Sequence, residues 1–158
     1  MDLPDPDDRE ALREMFSRCS PVTIQRRFFG VRADLPRGYL DAALAGDPSR
    51  HDAVVARRAD GRIDALASLV TDPITGSAEL AVLVVDAAQR RGLGRVLVTH
   101  LLARAVGRGT TCVTASVLPG RIELLRALER RVPVLEWVQS RDTVSAGFRL
   151  SSRKELVS

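Results

Sequence analysis

Glycine, arginine and glutamine fall together in one short stretch in the middle of the chain. The sequence Gln89-Arg90-Arg91-Gly92-Leu93-Gly94-Arg95 holds two glycines and three arginines. Glycine allows a positive φ and leaves no Cβ between the backbone and a ligand. At the start of a helix, unpaired N–H groups and the helix dipole both favour an anion. The stretch therefore predicts a site for a phosphate-bearing ligand.

A strand and a helix are expected on either side of this glycine loop, which comprises residues 89–95. The run from Leu80 to Val85 is short and apolar on both faces, which is typical of a buried interior strand. Asp86 ends the run. From Arg95 the apolar residues recur at helical spacing, with leucines at positions 93, 97 and 101. The predicted order is strand, loop, helix.

Two common phosphate-binding motifs do not match the glycine loop. A dinucleotide fingerprint needs a third glycine, and a P-loop needs Gly-Lys-Ser or Gly-Lys-Thr. The spacing that is present, Gln89-x-x-Gly92-x-Gly94 directly after a strand, resembles the acyl-CoA loop of the GCN5-related N-acetyltransferases (GNATs), whose motif is Gln/Arg-x-x-Gly-x-Gly/Ala. The simpler alternative is a turn between strand and helix in which the glycines only let the chain reverse.

The resemblance implies a coenzyme site made mostly of backbone. It assigns the diphosphate of acetyl-CoA to the loop residues Gln89, Arg90, Arg91, Gly92, Leu93, Gly94 and Arg95. The strand residues Val82, Leu83 and Val84 would contact the pantetheine arm through backbone groups, with one N–H directed at the thioester carbonyl. Acetyl-CoA is then a co-substrate, and no metal is implied.

The opening of the chain further resembles the catalytic domain of bacterial protein lysine acetyltransferases. The matching text is Asp8-Arg9-Glu10-Ala11-Leu12, Ser20-Pro21 and Arg27-Phe28-Phe29-Gly30. Their catalytic glutamate falls on Glu79 here. Because an amine at neutral pH is mostly ammonium, a base must remove a proton before it attacks, and Glu79 could do so directly or through a water. The alternative is a strand-end glutamate that simply faces solvent.

The order of predicted elements agrees with the GNAT fold. A first helix is expected over residues 9–16 with Asp7 or Asp8 as its N-cap, and a second over 21–29 with Ser20 as N-cap before Pro21. A third helix is expected over 38–44, followed by a hairpin of strands His51–Arg58 and Arg62–Thr71, and then by the strand, loop and helix described above. Residues 111–117, 119–128, 133–138 and 143–150 predict strand, helix, strand, strand. The fold class is α/β, a mixed and mostly antiparallel sheet flanked by helices, with the coenzyme in a split between two parallel strands.

This sequence departs from the family pattern in four respects. The family's first strand is either absent or reduced to a stub within residues 1–6. Arg121 stands where the family has asparagine, and Val132-Pro133 replaces the usual Gly-Phe. The family's general-acid tyrosine has no counterpart, since Tyr39 is the one tyrosine. Cys112 and Ser116 could protonate the leaving thiolate, or could simply be buried.

Composition limits the remaining function classes. The 158 residues predict a single domain over 1–158, with 45% hydrophobic and 28% charged residues. No apolar run approaches the roughly 20 residues of a membrane span. The acidic, proline-containing N-terminus is unlike a signal peptide, and the two cysteines have no metal-like spacing, so we expect a cytoplasmic protein. One lysine among 24 basic residues suggests a bacterial coding sequence.

Positive charge alone does not indicate a nucleic-acid partner. The pI near 10.0 favours acidic ligands, but aromatic residues make up only 4%, and single-stranded nucleic-acid sites use aromatic stacking. The pairs Arg26-Arg27 and Arg130-Arg131 are interpreted as solvated helix faces. His51 and His100 are interpreted as structural or solvated residues.

The leading hypothesis is an acetyl-CoA-dependent N-acetyltransferase that acts on a protein lysine. A small-molecule amine is a second acceptor class. A domain that binds acyl-CoA without catalysis is the alternative from another class, and a basic nucleic-acid adaptor is a weaker one, testable by salt-dependent binding. The sequence does not decide the oligomeric state, a homodimer included.

Overall fold

The computed structural model describes residues 1–29, 34 and 36–150. Gly30, part of the resemblance above, lies outside these residues. Five helices and six strands follow one another as α1 (Arg9–Ser17), α2 (Pro21–Phe28), α3 (Arg37–Leu44), β1 (His51–Arg57), β2 (Ile63–Thr71), β3 (Ala78–Val84), α4 (Leu93–Gly107), β4 (Cys112–Val117), α5 (Ile122–Glu129), β5 (Val134–Gln139) and β6 (Val144–Arg149). Short 3-10 turns occupy Pro6–Asp8, Asp86–Ala88 and Pro119–Arg121.

The six strands form one mixed sheet in the order β1-β2-β3-β4-β6-β5. Only β3 and β4 run parallel, and α4 makes the crossover between them. All other neighbours are antiparallel. This confirms the predicted α/β class and the mostly antiparallel sheet.

Helices cover the sheet on both faces because each face carries its own apolar set. On one face, α4 and α5 bury Leu97, Leu101, Leu102, Leu125 and Leu128 against β2, β3, β4 and β6. On the other face, α1, α2 and α3 bury Leu12, Met15, Phe16, Ile24, Leu40 and Leu44 against β1, β2 and β3. Each strand in the middle therefore alternates its side chains between two cores.

The two parallel strands separate before they end. Their pairing covers three residues and stops at Leu80 opposite Ala115. β3 nevertheless continues to Val84 and β4 to Val117. The gap beyond the last pair is called the split below, and it explains why Val82 and Val84 are only half-buried although the sequence predicted a fully buried strand.

The first strand of the family is reduced to a single bridge. Asp2 pairs with Val55 of β1, and the two N···O distances are 3.0 and 2.8 Å. The sequence left open whether this strand is absent or reduced to a stub within residues 1–6, and the bridge supports the stub. The stub is held by Arg57, whose Nε donates to the Asp2 carboxylate at 2.8 Å.

The predicted N-cap of α1 was wrong, whereas that of α2 was right. Asp8 makes no capping bond to α1. Its carboxylate accepts from the amide of Asp5 and from both terminal nitrogens of Arg57 at 2.9 Å, which draws it away from the helix. At α2, the Ser20 hydroxyl accepts from the Thr23 amide at 3.2 Å, as the serine-proline order predicts.

A buried ion pair ties α4 to the edge of the sheet. The carboxylate of Asp52 in β1 is 3% exposed and accepts from Arg104 and Arg108 at 2.8 to 3.0 Å. Within residues 1–29, 34 and 36–150, no helix has the length and apolar character to span a membrane.

Candidate active site

The glycine loop leaves free backbone donors at the start of α4. Gly92 adopts φ 81° and is the N-cap residue, with no side-chain cap. The first helical bond runs from the Val96 amide to the Gly92 carbonyl at 3.1 Å. In the described part of the chain, the amides of Leu93, Gly94 and Arg95 have no acceptor. These donors and the helix dipole together favour an anion at this point.

Two side chains from the segment after β3 attach the glycine loop to α2 and β3. The side-chain nitrogen of Gln89 donates to the Val84 carbonyl and to the Thr23 hydroxyl, each at 3.0 Å. Asp86 accepts from the Ser20 amide at 2.8 Å. Gln89 was expected among the residues that touch the coenzyme. Its side-chain donors are both used inside the protein, so it holds the loop against α2 and β3.

The same contacts set the charge of Asp86. Partial desolvation raises its pKa, but hydrogen bonds from the backbone and hydroxyl of Ser20 and from Thr23 outweigh it, and the pKa lies below the ordinary value. Asp86 is therefore ionised at neutral pH, at the junction of β3, the loop and α2.

Alternation along β3 decides which backbone groups enter the split. The Val85 amide bonds to Asp64 of β2 at 2.9 Å, so Val85 and Leu83 direct their backbone groups toward β2. Val82 and Val84 then direct theirs toward β4. Within the described residues, no strand pairs with the edge of Val82 that faces β4. Of the three predicted strand residues, Val82 and Val84 thus border the split, while Leu83 serves the sheet and the core.

Gly94 brings the start of α4 close to this free edge. A Cβ at Gly94 would stand 3.6 Å from Val82 Cγ1 and 3.9 Å from Val84 Cγ2. The unpaired amides of α4 and the unpaired groups of Val82 therefore lie along one continuous path. An extended ligand with a phosphate at one end fits that path.

Glu79 lies near the start of β3, one residue before the last pair between β3 and β4. It is exposed, and no ion pair or hydrogen bond engages its side chain within the described residues. Its register partners are Val70 of β2 and Thr114 of β4. Its carboxylate stands on the face covered by α1 to α3, where a base could meet an incoming amine.

A polar and aromatic group on that same face was not predicted from the sequence. The Tyr39 hydroxyl lies 2.7 Å from Ser68 Oγ, and the His51 ring centroid is 5.0 Å from that of Tyr39. Arg27 places its guanidinium 5.0 Å from the Tyr39 ring centroid. The sequence signal for this group is Ser68, a polar residue that interrupts the apolar side chains of β2.

His51 is buried, as the structural interpretation predicted, at 6% exposure. Burial lowers its pKa, and the positive charge of Arg27 lowers it further, while Asp52 opposes both. The imidazole is therefore neutral at pH 7. His100 is exposed on α4.

The two candidates for thiolate protonation are placed differently. Ser116 follows the last parallel pair and so borders the split, where its hydroxyl shares a hydrogen bond with Ser145 at 2.7 Å. Cys112 starts β4 opposite Arg149, at the paired end of the strand and away from the split. Only Ser116 is positioned for that role.

Neither of the two arginine pairs that were predicted to be solvated is wholly solvated, because one member of each contacts other side chains. Arg27 stacks on Phe28 and Tyr39. Arg131 is half-buried and donates to the Thr99 hydroxyl of α4. Burial lowers the pKa of Arg131, and the charge of Arg95 lowers it further. Arg90, Arg91 and Arg95 are exposed, as a phosphate site requires.

A metal centre finds no support in the described ranges 1–29, 34 and 36–150, where no group of three or more histidine, cysteine, aspartate or glutamate side chains is arranged to hold an ion.

The chain belongs to the acetyltransferase (GNAT) family, whose sequence profile matches residues 9–131. That match covers the loop, the split and Glu79. The protein is accordingly an acetyl-CoA-dependent N-acetyltransferase. A search of curated protein sequences found no significant match.

Solved structures share the fold. The GNAT domain of S. lividans PAT is 24% identical, with a TM-score of 0.81, and the match covers 93% of this chain and 88% of that one. The structure of yncA from Salmonella typhimurium with its cofactor acetyl-CoA is 20% identical, with a TM-score of 0.70 and coverage of 94% and 91%. A cAMP-binding acyltransferase from Mycobacterium smegmatis is 27% identical, with a TM-score of 0.59, and this chain matches over 86% of its length but spans 42% of that chain.

Proposed function

We propose that this domain transfers the acetyl group of acetyl-CoA to the side-chain amine of a protein lysine. The observation that carries the coenzyme's placement is the run of unpaired donors from Val82 to the amides of Leu93, Gly94 and Arg95. An extended arm that carries a diphosphate matches that run in chemistry, because unpaired N–H groups at a helix start favour phosphate oxygens. The resemblance of residues 8–29 to protein lysine acetyltransferases supports the acceptor.

The backbone of Val82 would hold the thioester end. Its N–H faces the split without a partner strand, so it can donate to a carbonyl oxygen that gains negative charge as the amine attacks. A donor fixed in a sheet needs no reorganisation at the moment of reaction. Ser116, across the split, would supply a proton to the departing thiolate and recover it from solvent through Ser145.

Glu79 would accept the proton of the acceptor ammonium. It precedes Val82 by three residues, which places the two Cα atoms about 10 Å apart along the strand. A glutamate side chain spans only part of that distance, so a bridging water would carry the proton. The acceptor would then approach across the α1–α3 face, where Glu79 is exposed.

A thiol-release assay tests this proposal. The protein would be given acetyl-CoA with a pool of lysine-containing proteins, with free small amines, or alone, while calorimetry measures coenzyme binding separately. Release that depends on proteins, with acetyl-lysine found by mass spectrometry, is the expected result. Thiol release with small amines only would refute a protein lysine as the acceptor. Binding without any release would instead indicate an acyl-CoA sensor, and absence of binding would refute the site.

A further inference from the structure

The sheet face under α1, α2 and α3 is covered by helices only in part. The core beneath these helices is built on β1, β2 and β3, and among residues 1–29, 34 and 36–150 it includes no residue of β4, β5 or β6. The other face of β4 and β6 is buried under α4 and α5. An open face is therefore left beside the three helices. It consists of Glu79, Thr114, Ser116, Ser145, Gly147 and Glu136.

One register row crosses the open face from Glu79 to the edge of the sheet. Glu79 lies opposite Thr114 of β4. Thr114 lies opposite Gly147 of β6, and Gly147 lies opposite Glu136 of β5. Residues that are directly opposite in a sheet project from the same face, here the face away from α4 and α5. Three strand spacings of about 4.8 Å place the Cα atoms of Glu79 and Glu136 about 14 Å apart.

The glycine in this row lets the side chain of Glu136 lie against the sheet. A Cβ at Gly147 would stand 3.5 Å from Glu136 Cγ and 3.9 Å from its Oε1. The carboxylate of Glu136 is therefore inclined over β6, inward from the sheet edge and in the direction of Glu79. Because residue 147 carries no side chain, nothing at that position separates Thr114 from Glu136, and the row is a continuous surface.

Both carboxylates of the row lack a positively charged partner. In the described part of the chain, the side chains of Glu79 and Glu136 form no ion pair and no hydrogen bond. Arg149, which is exposed on the same face of β6, is paired with neither of them. Unpaired carboxylates also occur on α5, but these two differ because they share one row on the face where the acceptor approaches. In a protein of net charge +4, they make this face locally complementary to a cation.

We propose that the open face binds an extended acceptor segment that crosses the strands, with its acceptor lysine at Glu79 and a second basic residue at Glu136. This inference rests on the proposed function and adds a sequence preference to it. An extended chain rises about 3.4 Å per residue and alternates its side chains, so the fourth residue from the lysine lies about 14 Å away on the same side. The preferred acceptor therefore carries arginine or lysine four positions from the acetylated lysine.

Synthetic peptides with a single lysine test this preference in the thiol-release assay. One set carries arginine at the fourth residue, on either side of the lysine, and a matched set carries glutamine there. A third set carries arginine at the third residue, which an extended chain directs to the other side. We expect kcat/KM to be about 2- to 5-fold higher with arginine at the fourth residue than with glutamine, as for an exposed ion pair, and to show no such gain at the third.

Two substitutions of Glu136 separate recognition of charge from a structural role. Glu136→Gln should abolish the preference for arginine through KM, with kcat unchanged, because the contact is the same in the ground and transition states. Glu136→Arg should reverse the preference, so that a peptide with glutamate at the fourth residue becomes the better substrate. The control is Glu123→Gln, exposed on α5 at the opposite face, which should keep the wild-type preference. High salt should reduce the preference in the wild type.

The outcomes distinguish this surface from the proposed function itself. Equal kcat/KM for the arginine and glutamine peptides in the wild type would overturn the surface and leave protein lysine acetylation intact. A preference for arginine that survives Glu136→Gln, or that Glu136→Arg does not reverse, would overturn it as well. Acetylation of free small amines but of none of the peptides would refute the protein lysine acceptor, and this inference with it.

Discussion

The side-chain amide of Gln89 donates to the main-chain oxygen of Val84 at 3.0 Å, and thereby engages a carbonyl that points toward β4 at the border of the split. The same nitrogen donates to Thr23. One side chain thus joins strand, loop and α2, and it does so without reserving a donor for a ligand. The glutamine of the motif acts here by fixing the backbone that binds.

Replacing Gln89 by glutamate should disorder the loop. The change keeps the shape, but it removes both donors and places a negative charge against the Val84 carbonyl oxygen. We expect acetyl-CoA affinity, measured by calorimetry, to fall about tenfold or more, since two hydrogen bonds are lost and an acceptor is left unpaired. The matched control is Gln25→Glu on the exposed side of α2. Equal affinity in both variants would show that Gln89 does not organise the loop.

Gly92 and Gly94 should respond differently to substitution. Gly92→Asp combines a strained φ of 81° with a carboxylate where the coenzyme phosphate is expected, so binding should fall at least about tenfold. Gly94→Ala should be tolerated, because its Cβ would meet valine methyls at 3.6 and 3.9 Å, which is ordinary contact. The control for strain is Gly109→Asp, with φ 86° at the far end of α4. If Gly109→Asp weakened binding as much as Gly92→Asp, strain rather than charge would be the cause.

Local pattern was sufficient to predict the strand, the loop and the helix, because turn glycines and apolar period are properties of neighbouring residues. What fixes the loop was not predictable. Gln89 and Thr23 are 66 residues apart, as are Asp86 and Ser20. The same reason explains the wrong helix cap, since Asp8 is engaged by Arg57, 49 residues away. A sequence pattern does not show such long-range partners.

The site was predicted as a path of backbone groups along β3 and the glycine loop. The register of β3 refines it, because alternation assigns Val82 and Val84 to the split and Leu83 to β2. The group formed by Arg27, Tyr39, His51 and Ser68 was missed, because its members come from α2, α3, β1 and β2 and meet only in the folded chain.

Asp52 should be a major contributor to stability. It is 3% exposed and holds Arg104 of α4 and Arg108, which directly follows α4, against β1. Asp52→Asn would leave two partly buried guanidinium groups without a counter-charge, and we expect the free energy of unfolding to fall by about 2–3 kcal/mol. Asp41→Asn breaks the exposed pair with Arg9 and should cost about 0–0.5 kcal/mol. Urea unfolding of both variants measures the difference, and similar losses would show that burial does not matter.

The link between Asp8 and Arg57 should make stability depend on acid pH. The hydrogen bond from Arg57 lowers the pKa of Asp8 below its ordinary 3.8, although burial opposes it. A depressed carboxyl pKa stabilises the fold above the unfolded value, and this contribution is lost as pH falls through the folded value. At pH 7, Asp8→Asn should cost about 1–3 kcal/mol. In urea unfolding at a series of pH values, the gap between wild type and variant should narrow steadily below about pH 4, and a constant gap would contradict this assignment.

Glu79→Gln should separate chemistry from binding. The substitution keeps the size and polarity of an exposed side chain, so the fold and the coenzyme path along Val82 are unaffected. It removes the proton acceptor, and kcat should fall about 100-fold while the acetyl-CoA dissociation constant stays within about twofold. The loss of kcat should be greatest near neutral pH and smaller at high pH, where the acceptor amine is already deprotonated. Glu129→Gln, exposed at the end of α5, is the control and should keep full activity. If Glu79→Gln retained wild-type kcat at pH 7, proton removal would have to be assigned to another group or to solvent.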